Sequence, residues 1–330
     1  MRRTFLTGLL ITTTSFLFAQ NIDAIINVKE VERIERTLAA DNMRGRKIFT
    51  PDIDKAADFI AAEFKSTGLQ TWNNTGSYRQ EFTLTAADLV KNGIETIPGI
   101  SEYKLANVVG VLPGKSRKDE YVIFSGHYDH VGVGEAVNGD SIYNGANDDA
   151  AGTTAVIMLA KYFKEINNNE RTIVFVAFTA EETGGFGSQY FSRQVDAGKV
   201  VAMFNIEMIG KRSKWGQNFA FITGYERSDF GEILQKNLAG TQFEFKPDPY
   251  PTQNLFYRSD NATLARLGVP AHTISTDEID IDKFYHTVDD EVETLDMKNI
   301  TATIRAIALS SKSIVAGTDT PKRIDKATVR

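Results

Sequence analysis

Apolar residues follow two rhythms along this chain: recurrence at helical spacing, and short unbroken runs. The stretch "TPDIDKAADFIAAEFKSTGL" opens on Thr50, Pro51 and Asp52, spaces Ala56, Ile60 and Phe64 along one face, and stops at Gly68. That pattern predicts a helix within a leader region of about 25–70. Unbroken runs rich in β-branched and aromatic residues predict buried strands at 106–114, 120–130, 172–182, 200–210, 218–224 and 270–276. Helical patterns fall at 152–166, 186–197, 226–238, 260–267 and 297–316. Strands alternating with helices predict an α/β fold with a largely parallel sheet. The near-continuous apolar strands agree, since such a sheet is covered on both faces. The stretch 88–101 fits no element well and reads as an insertion loop or a short hairpin. The tail after Gly317 is polar and reads as frayed.

Composition narrows the picture. The chain has 330 residues and is 42% hydrophobic, enough for a sizeable core. A net charge of −6, spread along the sequence, gives no electrostatic footprint for nucleic acid, and it does not favour an anionic membrane surface. Met1, Arg2 and Arg3 precede an apolar, threonine-rich stretch from Phe5 to Ala19 that is too short to span a bilayer. Residues 1–19 therefore read as a signal peptide. One domain over 20–330, periplasmic or secreted from a bacterium and free of the membrane after cleavage, is expected. There is no cysteine, hence neither a disulfide nor a lipid anchor on an N-terminal cysteine. Nothing in the sequence sets the oligomeric state.

In open parallel sheets, ligand sites gather beyond the carboxyl ends of the strands. His127 and Asp129 end the 120–130 run, Glu181 and Glu182 end the 172–182 run, and Glu207 lies near the end of the 200–210 run. Asp148 precedes the 152–166 helix, directly beside Asp149, and "FYHTVDDE" supplies His286. Zinc takes about four nitrogen or oxygen donors. Five side chains exceed one open zinc site and fit two ions sharing a carboxylate. Asp148 suits the shared position, where attraction to two dications offsets its repulsion by Asp149. Asp149 would then hold backbone or a neighbouring ligand. In extended backbone, adjacent side chains project to opposite sides. Glu182 accordingly reads as a ligand and Glu181 as general base for the attacking water. Asp129 is placed to accept the second N–H of His127, and Asp290 is expected as a further supporting carboxylate. His130 and His272 read as satisfied buried histidines.

The segments "SGHYDHVG", "SIYNGANDDAAGTTAVIMLA", "VFVAFTAEETGGFGSQYF", "FNIEMIG", "RSDNATLARLGVPA" and "YHTVDDE" resemble, in order, the motifs of the M28 family of zinc metallopeptidases, over roughly residues 40–315. The resemblance implies a co-catalytic exopeptidase with two Zn²⁺, usually an aminopeptidase acting on peptides. The implied fold is a three-layer α/β/α sandwich with a mostly parallel, mixed central sheet. The resemblance assigns His127 and Glu207 to one ion, Glu182 and His286 to the other, and Asp148 to both. It implies a cis peptide between Asp148 and Asp149, Glu181 as the base, and Tyr285 as a group stabilising the tetrahedral intermediate. Glu207 stands where many members carry aspartate, and Asn261 where histidine is common. Ser259, Asp260 and Asn261, with the segment between Gly224 and Arg258, are expected to line the substrate pocket. Rival readings are a glutaminyl cyclase, which would carry one zinc and a tryptophan at the place of Tyr285; a carboxypeptidase; and a metal-free binding module, which would have lost donors this chain retains.

Overall fold

The computed structural model describes residues 22–330, so the expected signal peptide lies outside the described residues. The chain order is α1 (Val28–Leu38), α2 (Pro51–Thr67), β1 (Gln70–Thr71), β2 (Arg79–Thr85), α3 (Ala86–Lys91), β3 (Glu102–Leu112), β4 (Arg117–His127), β5 (Gly132–Val137) and β6 (Asp140–Tyr143). There follow α4 (Ala151–Ile166), β7 (Arg171–Phe178), α5 (Phe186–Gln194), β8 (Val200–Ile206), β9 (Phe219–Ile222), α6 (Phe230–Asn237), β10 (Glu244–Pro247), α7 (Asn261–Ala265), β11 (Ala271–Ser275), α8 (Met297–Ser310) and α9 (Lys312–Val315).

Local chemistry sets the limits of the leader helix α2. Thr50 caps it by accepting from Asp52 N–H, and Pro51 starts it at no cost in hydrogen bonds. Gly68 ends it at φ 75°, in the left-handed region. The buried strands owe their composition to the sheet. Along β7, Ile173, Phe175 and Ala177 enter one apolar core, while Val174, Val176 and Phe178 enter another. Successive side chains alternate between faces, and here both faces are covered, so every position from Ile173 to Phe178 is apolar. The larger core takes Ile34 of α1, Phe64 of α2, Leu159 of α4, Leu234 of α6 and Ile304 of α8. The second takes Phe191 of α5 and Leu264 of α7. The result is three layers with a nine-stranded sheet between helices.

The sheet runs β1-β3-β7-β4-β8-β11-β9-β10, with β2 also on β3. Its centre, β7-β4-β8-β11, is parallel. β3 joins β7 antiparallel, and β9 joins β11 antiparallel. β5 and β6 form a separate hairpin.

Three expectations need correction. The stretch 88–101 begins as helix, because Thr85 and Asp88 form a reciprocal capping box that starts α3 at Ala86. The tail is docked rather than frayed. Arg171 donates to Asp319 O at 2.7 Å, and Ile324 packs into the second core at 3% exposure. The expected helix 226–238 is split: a 3-10 turn at Tyr225–Arg227 precedes α6.

One buried cation joins segments far apart in sequence. Arg46 has no exposed surface. Its guanidinium donates to the carbonyls of Tyr128, Leu38 and Gly145 at 2.8 Å, and to Asn144 O at 2.5 Å. These bonds tie the end of α1 to the turn after β4 and to the loop that carries Asp148. Burial pulls its pKa down, opposed by Glu35 and the site carboxylates. Arg46→Met leaves four buried carbonyls without that donor. At about 1–3 kcal/mol for an unmet buried group, a large drop in thermal midpoint is expected. Arg36→Met, which removes only surface pairs with Glu32 and Glu293, should cost about 1 kcal/mol or less. Calorimetric melting of both variants checks the contrast.

Candidate metal centre

Strands β7, β4 and β8 lie side by side in parallel register, with His127 opposite Phe178 and Ser125 opposite Asn205. Residues just past their carboxyl ends must therefore emerge together. Three buried aspartates fix how they emerge. Asp149 accepts from His127 N–H at 3.1 Å with Oδ2, and from Gly152 and Met208 N–H, both at 3.0 Å, with Oδ1. Asp129 accepts from Glu181 N–H at 3.1 Å and Glu182 N–H at 3.4 Å. Asp290 accepts from Asn147 N–H at 2.9 Å and Asp148 N–H at 3.1 Å. Gly152 lets α4 come this close, since a Cβ there would overlap the Ile206 carbonyl. The Asp148–Asp149 peptide is cis.

The five expected donors converge. Asp148 Oδ1 lies 3.1 Å from His127 Nε2, and its Oδ2 lies 3.1 Å from His286 Nε2. His286 Nε2 also lies 3.0 Å from Glu182 Oε2. Ligand atoms of His127, Asp148 and Glu207 gather within 4.8 Å of one another, as do those of His130, Asp148 and Glu182. Asp148 belongs to both groups. The donor set fits a metal on physical grounds: His130 Nε2 and Glu207 Oε2 are buried and make no hydrogen bond. Such orphaned polar atoms are costly unless a cation or proton meets them.

Protonation in the absence of an ion follows from this crowding. Burial opposes charge on His127, yet Asp148 and its neighbouring carboxylates win and hold its pKa well above the ordinary value. His286 behaves likewise: burial is outweighed by Asp148 and Glu182, and its pKa is pushed up to about 10. Asp148 is held well below the usual carboxylate range, because bonds to His127 and His286 overcome its burial. Burial raises Glu181 well above its usual range, opposed by His127. Glu207 rises to about 7 for the same reason.

The remaining expected residues divide. Asp129 does not take the second N–H of His127 with its carboxylate. Its backbone oxygen lies 3.2 Å from Nδ1, while Oδ1 is 3.8 Å away. β4 ends at His127, so strand alternation no longer aligns the two side chains. β7 likewise ends at Phe178, and Ala180 has φ 59°. Glu181 and Glu182 consequently face the same cavity. Tyr285 and Ser259 line that cavity too. Asp260 is buried beside them, with neither oxygen bonded, and lines an adjoining groove with Glu181. Asn261 is not a pocket residue. It is fully buried, donates to Phe256 O and Ala271 O, and accepts from Thr273 Oγ1. α7 turns its side chain inward, against β11.

His272 is the satisfied buried histidine expected, bonded to Thr223 O and Ser228 Oγ at 2.8 Å. His130 is different: its Nδ1 lies 2.7 Å from Glu182 Oε1. Its place three residues past His127, at the same sheet end, is the signal that could have found it.

The cavity over these groups encloses about 540 Å³ of empty space, part of it open to solvent. Asn205 braces its floor, accepting from Ser125 Oγ at 2.7 Å and donating to Ser259 Oγ at 2.6 Å.

Comparison with known proteins places this arrangement. The family model for peptidase family M28 matches residues 107–310. A probable zinc metalloprotease of Pyrenophora teres f. teres is 28% identical over 194 residues, or 58% of this chain and 37% of that one. The matched stretch is thus well under half the fungal protein's length. A zinc aminopeptidase from Bacillus subtilis shares the fold at a TM-score of 0.68 and 15% identity, covering 92% of this chain and 99% of its own. The glutaminyl cyclase of Porphyromonas gingivalis does so at 0.65 and 15%, covering 88% and 99%. The family match spans all five converging residues, from His127 to His286, and the chain belongs to peptidase family M28.

Proposed function

We propose that this chain, acting as one domain over residues 20–330, is a zinc-dependent exopeptidase that removes N-terminal residues from peptides. One observation carries the reading: the two oxygens of Asp148 face different histidines, each at 3.1 Å. His127 and Glu207 would hold one zinc, Glu182 and His286 the other, with Asp148 between them. When bound, the ions would supply Lewis acidity to the scissile carbonyl and make a nearby water more acidic. His130 bonds Glu182 and so positions it. The basic N-terminal segment followed by an apolar stretch supports export, and with it a periplasmic or secreted setting. Among the described residues no helix is long and apolar enough to cross a membrane.

The chain's own groups divide the proton work. Glu181 stands in the cavity beside Glu182 and Glu207, outside both donor groups. It takes the proton of the attacking water and returns it to the leaving amine. Its upward-shifted pKa, set first by burial, suits a group that must hold that proton in between. Tyr285 stacks on His286 with ring centroids 3.9 Å apart. Burial raises its pKa, so its hydroxyl keeps a proton to donate to the oxyanion. Carboxylates at Glu181 and Glu207 suit a free peptide amine.

Two expected outcomes test this. Glu181→Gln should keep zinc, measured by elemental analysis, yet lose at least about a hundredfold in turnover of aminoacyl chromogenic substrates. A variant that cleaves them at the parent rate defeats the assignment. The same panel, run with a chelator and with an N-terminal glutamine peptide followed for ammonia, separates peptidase from cyclase.

Metal-free protein should take up two zinc ions, and Asp148→Asn fewer than one. The protons held near neutral pH by His286 and Glu207 must leave first. Affinity should therefore fall as pH falls, about tenfold per unit for each proton displaced. Titration calorimetry at several pH values reads both stoichiometry and slope.

A further inference from the structure

β11 ends at Ser275, and the chain then runs through Asp277, Ile279 and Asp282 to Tyr285 and His286. Asp277 and Ile279 line the cavity, and Asp277 is only 2% exposed. Its Oδ1 accepts from Asn147 Nδ2 at 2.9 Å. Its Oδ2 receives no bond from an N–H or a hydroxyl. The Asp277 carboxyl bonds the carboxyl of Asp282 instead. Two carboxyl groups can bond only when one of them keeps a proton. The other partners of Asp282 show which one. Its Oδ1 accepts from Phe284 N–H at 2.9 Å, and its Oδ2 from Lys211 Nζ at 2.6 Å. Both contacts suit a carboxylate. The proton therefore sits on Asp277, which donates to Asp282.

The charges around the pair agree. Burial comes first, then the charge of Asp282 and the bond to it, and together they push the Asp277 pKa up to about 8. Lys211 opposes them, but its ammonium is spent on Asp282. Glu181, Glu182, Glu207 and Arg258 share the cavity lining with Asp277. Tyr250, on the outer side, faces Asp277 together with Glu278, Asp280 and Asp248.

This bond joins two segments of the metal centre. Asn147, which holds Asp277, directly precedes Asp148, and its Oδ1 accepts from Gly210 N–H at 2.8 Å. Asp282 caps the turn in which Thr287 N–H reaches Phe284 O at 3.0 Å, and that turn carries Tyr285 and His286. Lys211 Nζ also lies 4.8 Å from the centroid of the Phe284 ring. His286 has φ 56°, a left-handed backbone that a histidine keeps only when its surroundings hold it.

We propose that Asp277 and Asp282, sharing one proton, form a pH-sensitive latch that closes the 277–284 loop on the cavity and positions Tyr285 and His286. Its consequence for turnover rests on the aminopeptidase reading; the latch itself does not. With the loop closed, Asp277 holds its proton up to about pH 8. With the loop open and the carboxyl in water, the proton leaves near the ordinary value of about 4. The closed form binds the proton more tightly, so closure weakens as pH rises between these values, about tenfold per unit, and levels off above about pH 8.

The test compares the zinc-loaded full chain with Asp277→Asn and Asp277→Leu. Asparagine keeps an acceptor for Asn147 and offers Asp282 an N–H that no pH removes. Leucine keeps bulk and makes neither bond. Hydrogen exchange over residues 277–286 is read as protection factors at several pH values. The ratio of parent to Asp277→Asn protection should fall on the order of 100-fold from about pH 6 to about pH 8 and stay level above that. Asp277→Leu should lack the protection already at about pH 6. Its kcat for leucyl p-nitroanilide should lie at least about tenfold below that of Asp277→Asn, with KM moving less, because a misplaced Tyr285 fails in the transition state. A protection ratio that does not change with pH, or a leucine variant as protected as the parent, overturns the latch while the aminopeptidase reading stands. If no aminoacyl substrate is cleaved, the aminopeptidase reading fails, and the exchange data alone uphold or overturn the latch.

Discussion

Three buried aspartates that bind only backbone N–H groups set the geometry on which the rest depends. Asp149 joins the end of β4, the start of α4 and the residue after Glu207. Asp129 fixes the backbone of Glu181 and Glu182, and Asp290 fixes that of Asp148. Side chains at the ends of three separate strands cannot be aimed by the sheet alone, because regular structure stops before each of them. A carboxylate with two oxygens can hold two or three peptide groups at once, and each bond to a charged acceptor is stronger than a neutral one. The cluster is thus oriented through its backbone, which leaves the donor atoms free.

That freedom has an electrostatic consequence. Asp148, Glu181, Glu182, Glu207 and Asp260 crowd into one region with few cations of their own. The two histidines facing Asp148 compensate only part of the charge, and several buried atoms bond nothing. A protein that buries such a cluster stabilises it with protons or with metal ions. The proton-rich state at His286 and Glu207 is the form taken without a cation.

The fold does not decide the reaction. An aminopeptidase and a glutaminyl cyclase share it with this chain at similar TM-scores and equally low identity. Chemistry is set by side chains at the strand ends, and choice of substrate by the loops above them. In this chain the cavity is lined by Met208, by the ends of β9 and β11, by the turn around Leu255 and Arg258, and by Asp277 and Ile279 in the loop after Ser275. No long-range pattern in the sequence ties these pieces together.

The sequence by itself determined the parallel centre of the sheet, because strands covered on both faces must be apolar at every position. It also marked the candidate donors, because polar residues that follow such strands share one end of the sheet. His127, Glu182 and Glu207 were legible for that reason, Asp148 from its place before a helix and His286 from its own short motif, and the structure brings the five together. Tertiary structure alone decided which neighbours meet. His130 reaches Glu182, Asn261 turns into the core, and Arg46 binds carbonyls up to 99 positions away. Each outcome depends on where backbone leaves regular structure and on which groups remain unpaired after packing. Periodicity carries no information about either.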